Sequence, residues 1–125
     1  MNFVRALSFG YKEITYHNQT HAADVCQSFN YFCMEGGVKE RLKLDNLEQM
    51  SCLISAAMHD FEHPGVNNVF LVSMNDAIAV NHNDQSVLEN HHIAAAFRLM
   101  TENPKNNWAA KMAREDFKRV RHVII

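Results

Sequence analysis

Apolar residues recur along this chain at intervals of three and four, and strand-like alternation is nowhere sustained, so the pattern predicts an all-helical protein. A first helix is expected from about Phe3 to Tyr11. A second runs from about Thr20 to Met34 and closes at Gly36-Gly37, where a left-handed cap is easily adopted. Asp45, followed three residues later by Glu48, has the pattern of a capping box. Behind it Leu47, Met50, Ile54, Ala57 and Met58 form one apolar stripe on a third helix. That helix delivers His59-Asp60 at its C-terminal end.

Pro64-Gly65 then interrupts the pattern, and a short helical turn is expected from Asn68 to Ser73. Ser86 with Glu89 predicts a second capping box, opening a helix from Val87 to Met100. Asn103-Pro104 breaks it. Trp108 to Phe117 and Lys118 to Ile125 read as helical again, ending without a cap on the apolar run Val123-Ile124-Ile125, which reads as a truncated core. No internal repeat or low-complexity segment divides the chain, so its 125 residues read as one domain or part of one.

Composition narrows the function classes. The net charge is -2 and no Lys/Arg block is longer than a pair, which leaves a phosphate-tracking basic face, and hence nucleic acid as a partner, without support. No run approaches the roughly 18 apolar residues of a transmembrane segment, and Met1-Asn2-Phe3-Val4-Arg5 lacks the basic-then-apolar order of a leader, so the expected location is cytoplasmic. Cys26, Cys33 and Cys52 are an odd count with no Cys-x-x-Cys pair, so buried reduced thiols are expected rather than a disulfide framework or a thiolate zinc site. Eight histidines are many for this length, and imidazole is the commonest neutral ligand for borderline metals.

His17 and His21 stand four residues apart, a spacing that lets two helical side chains share a face but is weak on its own. His59-Asp60-Phe61-Glu62-His63 adds an adjacent nitrogen and carboxylate at a helix end, next to apolar Ala56-Ala57-Met58. A carboxylate near a core is costly unless balanced, and a divalent cation would balance it. The competing reading pairs Asp60 with a histidine, lysine or arginine of the fold. For His91 and His92 capping or packing is favoured over ligation. His122 among basic neighbours reads as a solvated face, Met50, Met58, Met74, Met100 and Met112 as core filler, and Trp108 as a packing residue.

Tyr16-His17-Asn18-Gln19-Thr20-His21-Ala22-Ala23-Asp24-Val25, then His59 to Phe70, then Ser86-Val87-Leu88-Glu89-Asn90-His91-His92, together resemble the class I cyclic-nucleotide phosphodiesterases, in order and spacing, from about Phe3 to the chain end. The resemblance implies an all-α, compact, multi-helix metal-dependent phosphohydrolase domain of the HD type, of which residues 1–125 would be the N-terminal half. It implies hydrolysis of a 3',5'-cyclic nucleotide, cAMP or cGMP, to the 5'-monophosphate at a dinuclear site of Zn2+ and Mg2+ (or Mn2+) with a bridging hydroxide. His21, His59 and Asp60 would be the metal ligands and His17 the general acid. His63 and Glu89 would hold waters on the metals, and Tyr16 and Asn68 would shape the site.

The partners implied are the cyclic nucleotide, the remainder of the catalytic domain and, as a further option, a second copy in a homodimer. A further metal-binding aspartate and the purine-gripping glutamine of the family are expected beyond Ile125, so the chain alone is expected to be inactive. His82 departs from the aromatic residue the family commonly has there. Two other readings are a regulatory scaffold of the same fold that lacks turnover, and a His-Asp phosphohydrolase of another phosphate ester.

Overall fold

The computed structural model describes residues 2–125 and, among them, contains helices and loops only. Eight helices follow in order: α1 (Asn2–Gly10), α2 (Gln19–Met34), α3 (Val38–Leu42), α4 (Asn46–Met58), α5 (Asn68–Ser73), α6 (Ala77–Asn81), α7 (Val87–Glu102) and α8 (Arg114–Ile124). Among the described residues no helix is long and apolar enough to cross a membrane.

Helix α4 is the central strut, packed against α2 on one side and α8 on the other. Its start is the capping box expected from sequence: Glu48 N–H donates to Asp45 Oδ1 at 2.9 Å, and Asp45 N–H donates to Glu48 Oε2 at 2.9 Å. These bonds satisfy two donors that a helix start leaves free. The Arg119 guanidinium of α8 reaches over to the Asp45 carboxylate and ties the two helices at this end. The stripe Leu47, Met50, Ile54 and Ala57 lies against a core of Phe3, Leu7, Met58, Phe61, Ala96, Met100, Val120 and Ile124. A smaller cluster, Leu71, Ala79, Val87 and Leu88, joins α5, α6 and the start of α7.

His17 lies in the loop before α2, as the expected helix start near Thr20 implies, and precedes Asn18, the N-cap of α2. Other local expectations are corrected. Gly37 is left-handed, φ 68°, but as the entry to α3 rather than the cap of α2, which closes on right-handed Glu35. Short helices α3 and α6 carry too few apolar positions to show a period.

Ser86 makes no capping box: it sits in the left-handed region, φ 41°, and its side chain caps nothing. Residues 103–113 form turns rather than the helix expected from Trp108 onward. The asparagines explain this, because Asn103 Oδ1 accepts from Lys105 N–H and Asn107 Oδ1 from Ala109 N–H, offering the backbone an alternative to helix. Among the cysteines only Cys33 is fully buried, and Met74 is exposed rather than core.

Candidate metal centre

The turn after α4 is held by the core at three points. Met58 (3% exposed), Phe61 (2%) and His63 (7%) are all buried, so the intervening His59 and Asp60 have little freedom to move. Phe61 N–H donates to Met58 O at 3.1 Å and His63 N–H to Asp60 O at 3.0 Å, closing two tight turns. The Phe61 ring meets Tyr11 edge-on, centroids 5.8 Å apart, and the Tyr11 hydroxyl donates to Ala57 O at 2.9 Å. Left-handed Glu62, φ 61°, turns the chain between the two buried side chains at 61 and 63.

Across from this turn, α2 begins. Asn18 Oδ1 accepts from Thr20 N–H (3.0 Å) and His21 N–H (3.2 Å), while Asn18 Nδ2 donates to Ile14 O at 2.9 Å. The cap therefore fixes both the helix start and its entry loop, and places His21 in the first turn. Its imidazole meets the α4 turn directly. His21 Nε2 lies 3.2 Å from Asp60 Oδ2 and 3.2 Å from His59 Nε2, and His59 Nε2 lies 3.0 Å from the same Asp60 oxygen.

Hydrogen bonding settles how His59 faces the site. Its Nδ1 is 2.8 Å from Ala56 O, a carbonyl that can only accept, so Nδ1 carries the proton and Nε2 presents a lone pair. That nitrogen lies 3.0 Å from a carboxylate oxygen and 3.2 Å from a second imidazole nitrogen, so three ligand-type atoms crowd one spot. A positive centre relieves such crowding, and two imidazole nitrogens with one carboxylate oxygen are the donor set a zinc-type cation takes. The residues present thus fit a divalent ion.

A second group, His17, Asp60 and His63, also brings its ligand atoms together. Here His63 behaves differently. Gly65 N–H donates to His63 Nδ1 at 2.9 Å, which leaves the proton on Nε2 and makes His63 a hydrogen-bond donor toward the site instead of a lone-pair ligand. Burial, then the neighbouring His17, pushes the His63 pKa down to about 4. Its ring stacks on His17 (3.9 Å, 11°) and, on the other side, lies 5.4 Å from His92 at 18°. Tyr16 covers the outer side, its ring 4.9 Å from His17 and 4.6 Å from His21, and is 63% exposed.

Tyr16, His17, His21, His59, Asp60 and His63 are thus gathered in one place. Asn68 and Glu89 form a separate pair at its edge, Asn68 Nδ2 donating to Glu89 Oε2 at 3.0 Å. His92, expected to pack or cap rather than to ligate, packs beside the site. It is 2% exposed, its Nδ1 donates to Phe61 O at 2.6 Å, and its Nε2 stands 3.8 Å from the free Asp60 oxygen, Oδ1. Burial keeps its pKa low. Its spacing three residues after Glu89, on one helix face, was the available signal. His91 instead pairs outward with Glu62 at 3.1 Å.

Residues 16–125 match the family model described as 3'5'-cyclic nucleotide phosphodiesterase. The chain is 45% identical over 114 residues to a high affinity cAMP-specific and IBMX-insensitive 3',5'-cyclic phosphodiesterase 8 of Drosophila melanogaster, covering 91% of this chain and 12% of that protein. It is 44% identical over 110 residues to the corresponding 8A protein of Mus musculus, covering 88% and 13%. To a dual specificity calcium/calmodulin-dependent 3',5'-cyclic nucleotide phosphodiesterase 1C of Mus musculus it is 39% identical over 127 residues, covering 100% and 18%. The chain therefore spans less than a fifth of the length of these relatives.

Proposed function

The chain belongs to the 3'5'-cyclic nucleotide phosphodiesterase family, and from that premise we propose that it contributes to hydrolysis of a 3',5'-cyclic nucleotide to the 5'-monophosphate. On this reading residues 1–125 are the N-terminal half of an HD-type catalytic domain, a cytoplasmic protein whose partners are cAMP or cGMP, the rest of that domain and a second copy in a homodimer. The observation that carries it is the convergence of His21, His59 and Asp60, from helix ends 38 residues apart, at 3.0 to 3.2 Å.

His21, His59 and Asp60 would hold a Zn2+-type ion, with Asp60 shared toward a Mg2+ or Mn2+ ion. When bound, such cations polarise the phosphate and lower the pKa of water. The chain's own groups do the rest. His63, its proton fixed on Nε2, donates into the site, and Glu89 accepts hydrogen bonds at its edge. As the oxygen of a water bonds to phosphorus, its proton passing to solvent, and the bond from phosphorus to the 3' oxygen breaks, that oxygen needs a proton, and His17 supplies it. The His63 ring stacked on one face and the Tyr16 ring set edge-on against it hold the His17 ring in place.

The test is incubation of the full-length, metal-loaded protein with cAMP and with cGMP, followed by chromatography of the products. Release of the 5'-monophosphate supports the reading; no turnover of either nucleotide overturns it. His17→Asn should cut turnover by roughly a hundredfold or more, the range for removal of a general acid, with metal content unchanged. Equal loss of metal would assign His17 to ligation instead.

A further inference from the structure

We infer that Asn68 is a positioning residue that caps α7 from across the fold and holds the Glu89 carboxylate at the edge of the metal centre. Helix α7 starts badly by local criteria. Its preceding residue, Ser86, is left-handed and gives no side-chain cap, so the first-turn N–H groups look elsewhere, that of Glu89 to its own carboxylate. One of them finds a distant partner: Leu88 N–H donates to Asn68 Oδ1 at 2.9 Å, over 20 residues of chain. The other end of the same amide, Nδ2, donates to Glu89 Oε2 at 3.0 Å. Neighbouring Asn67 caps its own helix, α5, through Phe70 N–H at 2.9 Å, so the two adjacent asparagines serve two different helices.

The chemistry demands an amide. Leu88 needs an acceptor and Glu89 needs a donor, and one neutral side chain of this length presents both. Aspartate would keep the acceptor and set a second carboxylate against Glu89. Helix α7 also carries His92, which bonds to Phe61 O and faces Asp60. Fixing the first turn of α7 therefore fixes Glu89 and, one turn on, the imidazole that backs Asp60. The consequence for turnover rests on the proposed phosphodiesterase reading; the capping does not.

A double-mutant cycle on the full-length protein tests this, with hydrogen exchange of the Leu88 amide as a second readout. Asn68→Ala should speed Leu88 exchange roughly fivefold, the effect of losing an N-cap. Asn68→Asp should leave Leu88 protected but lower kcat roughly tenfold at unchanged KM, as expected for a charged hydrogen bond turned into a repulsion. In the Glu89→Gln background, where donor and acceptor are exchanged, Asn68→Asp should lower kcat less than twofold. Unchanged Leu88 exchange in Asn68→Ala would overturn the capping, whether or not the protein turns over a nucleotide. Equal kcat losses in both backgrounds would overturn the link to Glu89.

Discussion

Replacing His59 by alanine should remove most of the thermal stabilisation that zinc confers. The folded chain gathers three ligand atoms within 3.0 to 3.2 Å, whereas the unfolded chain spreads them over 40 residues, so the ion binds the native state selectively. With free zinc a hundredfold above its dissociation constant, linkage adds about 2.7 kcal/mol. Unfolding 125 residues at about 2.1 cal/mol/K each gives an entropy of about 260 cal/mol/K, which converts that gain into a rise of about 10 °C in Tm.

Loss of a ligand weakens binding by at least about a hundredfold, which at the same zinc concentration leaves about 0.4 kcal/mol, or about 1.5 °C. Differential scanning fluorimetry with and without zinc measures the shift within each variant, so any intrinsic stability change cancels. Asp60→Asn, which keeps the shape and removes the charge, should behave alike, and His122→Ala on the exposed face of α8 should retain the full shift. A full zinc shift in both His59→Ala and Asp60→Asn would refute the assignment of the cation to these donors.

Gly10, the last residue of α1, leaves no room for a β-carbon, which would run into the edge of the Phe61 ring. Gly10→Ala should therefore cost about 1–3 kcal/mol by urea denaturation, as overpacking does, and Phe61→Leu in the same chain should recover part of it. For His63 the folded pKa of about 4 lies below the unfolded value near 6.5, so the unfolded chain binds the extra proton between them. Stability of the metal-free protein is then complete above about pH 6.5 and declines as pH falls toward about 4; His63→Gln should flatten that slope in a pH series of melts. At Asp45 the side-chain bond from Arg119 holds the carboxyl below the usual range. Its contribution is present above the unfolded value of about 3.9 and is lost as pH falls through the folded one, so Arg119→Gln should raise the Asp45 titration midpoint in carboxyl NMR.

Much of the site was readable as sequence because its parts are local. The Asp45 capping box, the stripe from Leu47 to Met58 and the His59-Asp60 pair at the end of that helix depend on bonds and spacings within one or two turns. So does the placement of His21 in the first turn of α2 with His17 in the loop before it, although the Asn18 cap itself was not foreseen. Where local rules compete, sequence misled: Ser86 fits a capping-box pattern, and the asparagines from 103 to 107 favour turns over the helix that the apolar spacing suggested.

Tertiary structure alone decided the rest. That His21 and His59 meet over one Asp60 oxygen follows from α2 packing on α4, a contact no period in either helix specifies. Burial of His92 beneath Asp60, and the capping of α7 by Asn68, likewise join residues 20 or more positions apart. A chain encodes its helices in contacts between neighbours, but the partner of a side chain that leaves its own helix is set by how whole faces pack. The metal-type residues were therefore named by sequence, while their tautomers, their spacing and their supports were fixed by the fold.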